Sequence, residues 1–516
     1  MSANKAPVLL AAMMACAAPV PVWAEAPLSA IDWLSQSVAT PASLARPTTQ
    51  ADPNSGRAAL PAPITVTPLA NPGVTAVGLI SAQRAGLPRD LWGPSRSTDI
   101  ARLIRAEQPD TLPAVRQLMN TLLITELSPP HDGDPTGALF VARIDKLLDL
   151  GALDPALALL ELLGKPNAES FRRWFDISLL LGQEDRACEV MAETPQIAPT
   201  FPARIFCLAR GGDWDAAALS LRTGQTLQTI DPEMGALLER FLDPELFEGE
   251  DDLPLPARPS PLVLRLMEAI GQPLPTTTLP VAFAQADLRS NSGWKTQIEA
   301  AERLTRMGAI PPNRLLGLYT ERRAAASGGV WERVKAVQAL DDALKSGDPA
   351  KIGAALGPVW SQMVKMELEV PFADLFGAEL ANADLSGPAG SLAFRIGLLS
   401  SGYEKIAITR SPANPAEAFL IGLAKGDLSG IRPPDQLGVA IKAAFATKAV
   451  PDEGLRFLLS EDKLGEALLK AIDKATKGAS GDLRDVTNGL ALLRQVGLEN
   501  TARQTGLELM LLERRG

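Results

Sequence analysis

The chain contains very few of the residues on which metal-dependent and nucleophilic enzymes rely. Its 516 residues include one histidine, His131, three cysteines and two tyrosines. One histidine cannot build a histidine-rich zinc site, which takes several nitrogen or sulfur ligands. It would also have to serve any serine–histidine–aspartate triad, for which no Gly-x-Ser-x-Gly elbow supplies the nucleophile. No Gly-x-x-x-x-Gly-Lys phosphate loop is present either. We therefore predict a protein without catalytic, metal-binding or cofactor-binding residues.

Aromatic residues are also scarce, and their scarcity favours one fold class. They make up 5% of the chain, whereas apolar residues as a whole make up 46%, with alanine and leucine dominant. Strands call for more β-branched and aromatic residues, and alanine and leucine are strong helix formers. The 43 prolines and 41 glycines fit many short helices with sharp ends. We expect an all-α fold, with one of its helices near 281–287.

An excess of positive charge is absent, and this limits the kind of partner. Fifty lysines and arginines are set against 60 aspartates and glutamates, for a net charge of −10. Nucleic-acid binders cluster lysine and arginine on one face. Attraction to an anionic membrane needs the same excess. We expect neither nucleic acid nor a membrane surface to be the partner.

Residues 1–24 have the features of a secretory signal peptide. Lys5 precedes an apolar run, and Val22-Trp23-Ala24 forms a small-x-small cleavage site before Glu25. The alternative is a lipoprotein acylated at Cys16, although Met13 is a poor substitute for the usual leucine three residues earlier. No later apolar run reaches the ~18 residues of a membrane helix. We expect a periplasmic or secreted protein, cleaved near Ala24, with no transmembrane helix in the mature chain.

The mature chain would keep two cysteines, Cys188 and Cys207. In an oxidising compartment a close pair normally forms a disulfide. The two residues fall on neighbouring predicted helices, so the bond would join one helical hairpin to the next. A redox-active pair is the alternative, but the sequence has no Cys-x-x-Cys motif. We predict a structural disulfide.

A short pattern recurs where apolar, helix-like runs end in glycine and an alanine follows five residues later. Glycine adopts the left-handed conformation that ends many helices at little steric cost. The small alanine lets the next helix lie close against the first. One such hairpin cannot bury its apolar face alone, so we expect hairpins to stack. The pattern occurs at Gly151 and Ala156, Gly182 and Ala187, Gly212 and Ala217, Gly402 and Ala407, and Gly497 and Ala502.

This turn resembles that of tetratricopeptide repeats, as in GDWDAA and GYEKIA. The resemblance covers the turn only. The Trp–Leu–Gly–Tyr pattern of that family's first helix is missing, and the first three glycines are spaced more closely than its ~34 residues. The resemblance implies a TPR-like α-solenoid of stacked helical hairpins, which presents an extended concave surface. An irregular helical bundle is the alternative.

The composition changes along the chain predict five regions. The signal peptide, 1–24, is followed by a Pro/Ala-rich, largely extended segment, 25–98. In this segment Ile64-Thr-Val-Thr67 alternates like a strand, and it could lie across the helices or simply be extended. An N-terminal helical array covers 99–245 and a C-terminal array covers 281–516, ending in a helix expected to cap the solenoid. An acidic, Pro-rich connecting region, 246–280, separates them. Its acidic run is interpreted as solvated charge.

These features favour a non-catalytic, periplasmic helical-repeat protein that acts as a protein–protein interaction scaffold for envelope proteins. The Pro-rich segment would serve as a tether or docking strand. One alternative is an accessory factor of a cell-wall or flagellar-motor machine. Another is a glycan-acting enzyme that uses carboxylates alone. Glu169-Ser170 is similar to the catalytic Glu-Ser of soluble lytic transglycosylases, but the Gly-Leu-Met-Gln segment that should follow is missing.

Overall fold

The computed structural model describes residues 74–164 and 166–512. The signal peptide, Cys16 and the predicted strand at residues 64–67 lie outside the described residues. The described part is predominantly helical, with almost no strands, as the composition predicts. Its α-helices are α1 (Ala82–Ala85), α2 (Ser97–Ala106), α3 (Pro113–Ile124), α4 (Ala138–Asp149), α5 (Leu153–Glu161), α6 (Ala168–Leu181), α7 (Glu184–Glu193), α8 (Phe201–Arg210), α9 (Trp214–Thr226), α10 (Pro232–Leu242), α11 (Pro261–Ala269), α12 (Trp294–Arg306), α13 (Pro312–Glu321), α14 (Val330–Ser346), α15 (Pro349–Lys365), α16 (Glu369–Asn382), α17 (Gly387–Leu398), α18 (Tyr403–Thr409), α19 (Pro415–Lys425), α20 (Gln436–Ala444), α21 (Glu453–Ser460), α22 (Leu464–Ala479), α23 (Leu483–Gln495) and α24 (Glu499–Leu511).

Short 3-10 helices complete the helical content, at Val74–Ala76, Pro195–Ile197, Pro244–Phe247, Thr276–Thr278 and Val281–Leu288. The helix expected near 281–287 is therefore present, but as a 3-10 helix. Its side chains from Ala282 to Ala286 are all buried, so it has no polar face of the kind that an amphipathic α-helix turns to solvent. Among the helices of the described part, none combines the length and the apolar character needed to cross a bilayer.

Two strands of two residues each form a small parallel ladder near the start of the described chain. Strand β1 (Ile80–Ser81) pairs with β2 (Thr125–Glu126), with Ile80 opposite Thr125. A Cβ at Gly78 would lie 2.1 Å from the Glu126 nitrogen, so only glycine fits this approach. The ladder holds the beginning of the described chain against the end of α3.

Much of the helix packing joins consecutive helices into pairs, such as α8 with α9, α14 with α15, α16 with α17, and α22 with α23. Two non-consecutive pairs, α2 with α4 and α20 with α23, pack about as extensively. Each pair buries one stripe of apolar residues against its neighbours, as short amphipathic helices must. This arrangement is compatible with a helical-repeat fold. The stacking of these pairs into a solenoid stays a prediction.

The last helices of the described chain pack against helices near its beginning. Helix α24 contacts α3, and α22 contacts α2 and α3. The Ala114 amide donates to both carboxylate oxygens of Glu508, each at 3.0 Å. The Gly465 amide donates to the Leu91 carbonyl at 2.9 Å. The expectation of a terminal capping helix is therefore wrong, because α24 is covered by helices from the other end of the sequence.

Two large apolar clusters form the core. The larger one combines residues of α1–α5 with residues from Ala282 to Leu512, and it also includes Ile177, Leu180 and Leu264. The smaller one runs from Phe171 to Met267, on helices α6 to α11. Most of the buried apolar residues of α6 to α11 therefore form a second core, and α6 and α11 contribute to both. The proposed boundaries at 245 and 281 stay a prediction.

Candidate functional site

The repeated glycine–alanine pattern marks tight helix reversals. Gly151, Gly182, Gly212 and Gly497 have backbone φ angles of +73°, +72°, +83° and +87°. These are left-handed conformations that favour glycine. All five partner alanines have 0% exposure, so each lies fully inside the helix packing. They are Ala156, Ala187, Ala217, Ala407 and Ala502.

Gly402 departs from this pattern, because its φ is −88°. Here the side chain of Ser400 makes the turn. Its hydroxyl donates to the Gly397 carbonyl at 2.7 Å and accepts from the Gly402 amide at 3.2 Å. The prediction that glycine conformation ends the helix at this position is wrong, although Ala407 is buried as the pattern requires.

The two cysteines join helices α7 and α8. The sulfurs of Cys188 and Cys207 lie 2.02 Å apart and their Cα atoms 5.0 Å apart, which is disulfide geometry. Both side chains belong to the smaller apolar cluster. The pairing expected from the sequence agrees with this geometry, and it fixes α8 against its neighbour.

The loop around His131 is a capping structure. His131 is exposed. Asp132 accepts hydrogen bonds from the amide and the hydroxyl of Ser97, at 3.0 and 2.8 Å. Asp134 accepts from the Ala138 amide at 2.8 Å. These carboxylates satisfy helix starts, and within residues 74–164 and 166–512 no group of three or more potential ligand side chains is arranged to hold a metal ion.

Glu169 and Ser170 also serve a helix start. Ser170 forms a reciprocal capping box with Asn167 at the beginning of α6. Glu169 pairs with Arg173 at 2.9 Å, one helical turn further on. Both residues therefore have partners within α6. They set the start of this helix.

A cleft of about 1060 Å³ lies between α6, α8, α10 and α11. The loop at 253–258 closes one side of it. Its walls are mainly apolar, and they come from positions up to 95 residues apart, such as Arg172 and Met267. No sequence motif pointed to it. The apolar wall includes Phe175, Phe201, Leu237, Leu262, Val263 and Met267.

Arg172 and Asp176 form the polar floor of this cleft, one turn apart on α6. Their residues are 8% and 5% exposed. The Asp176 Oδ2 atom is buried and has no hydrogen-bond partner. Burial raises the pKa of Asp176 to about 7, against the opposing effect of Arg172 and Arg173. Burial likewise lowers the pKa of Arg172, and the charge of Asp176 opposes this shift.

A buried oxygen without a partner costs free energy, about 1–3 kcal/mol for an ordinary polar group. Such groups are uncommon in native proteins and call for an explanation. A bound molecule that donates an N–H or O–H to Asp176 would remove this cost. The floor of the cleft is therefore prepared for a hydrogen-bonding ligand.

Three helices begin at the cleft, and each start is already capped. The side chains of Thr200, Asp231 and Ser260 accept from backbone amides of α8, α10 and α11, at 3.2, 2.9 and 3.3 Å. Each of these helices also carries a proline in its first turn. Proline has no N–H to offer. Since capping and proline remove most of the free donors, the Arg172–Asp176 floor is the main polar feature of the cleft.

A second depression, of about 620 Å³, holds a network of ion pairs. Glu184 lies 2.5 Å from Arg265, and Glu268 lies 2.5 Å from Arg265 and 2.7 Å from Arg289. Burial raises the pKa of Glu268, but hydrogen bonding to Arg289 and the nearby arginine charges hold it below its usual value. These charges largely satisfy one another. The network connects α7 and α11 to the chain that follows the Val281–Leu288 helix.

Comparisons of this chain with protein-family models, curated proteins and solved structures give no match. The helical architecture is compatible with a repeat fold. The TPR-like identity rests on the turn residues alone.

Proposed function

We propose that the protein is a non-catalytic helical-repeat protein of the cell envelope that holds a segment of a partner protein in the cleft between α6, α8, α10 and α11. The observation that carries this proposal is the buried Asp176 Oδ2, which lies without a partner at the floor of an apolar cleft. An apolar pocket with a few converging polar groups is the usual form of a binding site.

The cleft is large enough for a segment of a polypeptide chain. Its volume of about 1060 Å³ is at the upper end of the range of ligand pockets, about 300–1,000 Å³. Its wall on α8 is held by the bond between Cys188 and Cys207. A wall that is fixed before binding loses less entropy when the partner arrives.

Binding is favoured over catalysis by the arrangement of the acidic groups. Hydrolysis by carboxylates alone needs two of them placed about the scissile bond. Of the cleft's acids, Asp231 is engaged as the cap of α10 and Glu233 is exposed at the rim. Asp176 therefore stands alone at the floor. The disulfide also fits an oxidising compartment such as the periplasm.

The proposal is tested by placing a photo-reactive amino acid at Met234, in the cleft wall, and irradiating cells that express the full chain. We expect capture of one envelope protein in stoichiometric yield. Ala236→Trp fills the cleft and should abolish capture. Ala336→Trp replaces an equally half-buried alanine on α14 and should leave it unchanged. Melting curves of both variants verify that they fold.

Two results would contradict this function. Capture that is equal in the two tryptophan variants would mean that the cleft is not the binding surface. Release of soluble fragments from peptidoglycan by the purified mature chain, lost in Asp176→Asn, would support the carboxylate enzyme instead. If the captured protein belongs to a cell-wall or flagellar-motor machine, this chain is an accessory factor of that machine.

A further inference from the structure

The cleft combines a buried acceptor with apolar walls. Asp176 is 5% exposed, and its Oδ2 atom has no hydrogen-bond partner among the described residues. The walls around it include Phe175, Phe201, Leu237 and Met267. A polar group that is buried against such walls without a partner costs free energy. The occupant must therefore bring a hydrogen-bond donor to the floor on a body that is otherwise apolar.

The donor that fits Asp176 is uncharged. Burial raises the pKa of Asp176, and the nearby charges of Arg172 and Arg173 act in the opposite direction. A lysine or arginine of the occupant would add a further cation beside these two, and it would lose its hydration between apolar walls. An acidic group would face the Asp176 carboxylate itself. The charges at the floor therefore favour a neutral N–H or O–H group.

The donor should also bring no acceptor of its own to the floor. A backbone amide, an asparagine or a glutamine carries a C=O beside its N–H, and a serine or tyrosine hydroxyl accepts as well as donates. Arg172 already has a partner within the chain. The helix starts around the cleft are already capped by Thr200, Asp231 and Ser260. An acceptor buried at the floor would therefore find few donors.

Tryptophan is the side chain that meets these conditions. Its indole N–H is a donor only, and the rest of its ring is a large apolar surface of the kind that anchors many interfaces. Phe175 and Phe201 offer aromatic partners to that ring, and Met234 and Met267 offer sulfur atoms. A cleft of about 1060 Å³ has room for the ring and for the backbone on either side of it.

We propose that the cleft binds its partner segment through one tryptophan side chain, whose indole N–H donates to Asp176 while its ring packs against the apolar wall. This inference rests on the proposed function, because both assign the same cleft, and it names the chemistry that the cleft selects. A segment with phenylalanine in that place would fill similar space and leave Oδ2 unpaired. A site built around a hydrogen bond discriminates strongly against an analogue that lacks the donor.

The test uses five blocked pentapeptides that differ only in their central residue, with alanines on either side. The central residue is tryptophan, 1-methyltryptophan, phenylalanine, tyrosine or lysine, and each peptide is titrated into the full mature chain by calorimetry. We expect the tryptophan peptide to bind at least about tenfold more tightly than each of the others. The 1-methyltryptophan peptide is the sharpest comparison, because it keeps the ring and loses the N–H.

Three variants connect this preference with the cleft and its floor. Asp176→Leu keeps a side chain of similar size without an acceptor, and it should reduce the preference for tryptophan over 1-methyltryptophan to less than about twofold. Ala236→Trp should abolish binding, whereas Ala336→Trp, on α14, should not. Melting curves verify that the variants fold. The comparison of peptides on the unaltered chain holds even if Asp176→Leu does not fold.

Equal binding of the tryptophan and 1-methyltryptophan peptides would overturn the inference, as would tightest binding of the tyrosine or lysine peptide, or no binding at all. If one of these results is found while the group at Met234 still captures an envelope protein, the inference fails and the proposed function stands. If the tryptophan preference is found but no envelope protein is captured, or only a second copy of this chain, the proposed function fails and the selectivity of the cleft stands.

Discussion

Asp176 is the residue that most strongly supports a binding role for the cleft. Burial raises its pKa from 3.8 to about 7. Between these values the folded chain binds more protons than the unfolded chain. Asp176 therefore lowers the free energy of unfolding as the pH rises through that range. Above a pH of about 7 the folded protein carries the full cost of the buried charge.

Asp176→Asn removes that charge. We expect the free energy of unfolding of this variant to exceed that of the unaltered protein by about 1–4 kcal/mol at a pH near 8, and to match it at a pH near 4. Urea denaturation across this pH range measures the difference. Glu233→Gln, at the exposed rim, is the control and should change little. A less stable Asp176→Asn at high pH would mean that the carboxylate is stabilised by a partner.

Ala217 tests whether close approach of two helices requires a small residue. It is fully buried where α9 turns back on α8. Ala217→Leu would add three carbons to a filled space and should lower the free energy of unfolding by about 1–3 kcal/mol. Ala218→Leu, at the half-buried neighbouring position, should cost clearly less. Equal costs, measured by denaturant unfolding, would show that the alanine is not needed for close helix approach.

Residue patterns could predict the turns and the disulfide, because these depend on neighbours in sequence. Four of the five glycines adopt the left-handed conformation, and the exception at Gly402 arises from the Ser400 side chain. The floor of the cleft could not be predicted. Arg172 and Asp176 are two charged positions on an amphipathic helix, and only α10 and α11, about 60–90 residues later, make them buried.

At the scale of elements, the disulfide between α7 and α8 closes a loop with a sequence separation of 19. A loop of this length contributes on the order of 3 kcal/mol by restricting the unfolded chain. We expect the free energy of unfolding of the Cys188→Ala/Cys207→Ala variant to be lower by about that amount, so that this variant unfolds at a lower denaturant concentration. Unchanged stability in the double variant would mean that packing alone holds the two helices.

Apolar spacing predicted a helix near 281–287, but it did not predict the type of that helix. Ala282 to Ala286 of the Val281–Leu288 segment are all buried, and the segment packs against α6, α12 and the Thr276–Thr278 turn. Periodicity cannot define a polar face where there is none. Its 3-10 form therefore depends on contacts that the local sequence does not contain.

At the scale of the whole molecule, Glu508 joins the two ends of the described chain. Its carboxylate accepts from the Ala114 amide, 394 residues away, and it is 4% exposed. Glu508→Ala leaves that amide buried without this acceptor, so we expect a loss of about 2–4 kcal/mol in the free energy of unfolding. Hydrogen exchange should speed up in α3 as well as in α24.

Glu461→Ala, which alters an exposed residue at the end of α21, is the matched control and should have no such effect. If exchange in α3 is unchanged in Glu508→Ala, the contact does not connect the ends energetically. Contacts across so many residues leave no periodic signal in a sequence. The prediction of a capping terminal helix failed for this reason.

A protein in which α24 packs against α3 responds unusually to a cut. The exposed stretch 322–329 lies between α13 and α14, far in sequence from the α3–α24 contact. Cleaving the backbone there would yield two fragments that still share one apolar interior and still meet through Ala114 and Glu508. The nicked molecule should therefore elute as a single particle in size-exclusion chromatography and come apart only in denaturant. Two complementary pieces expressed separately should likewise recombine, so the intact backbone is dispensable at that point.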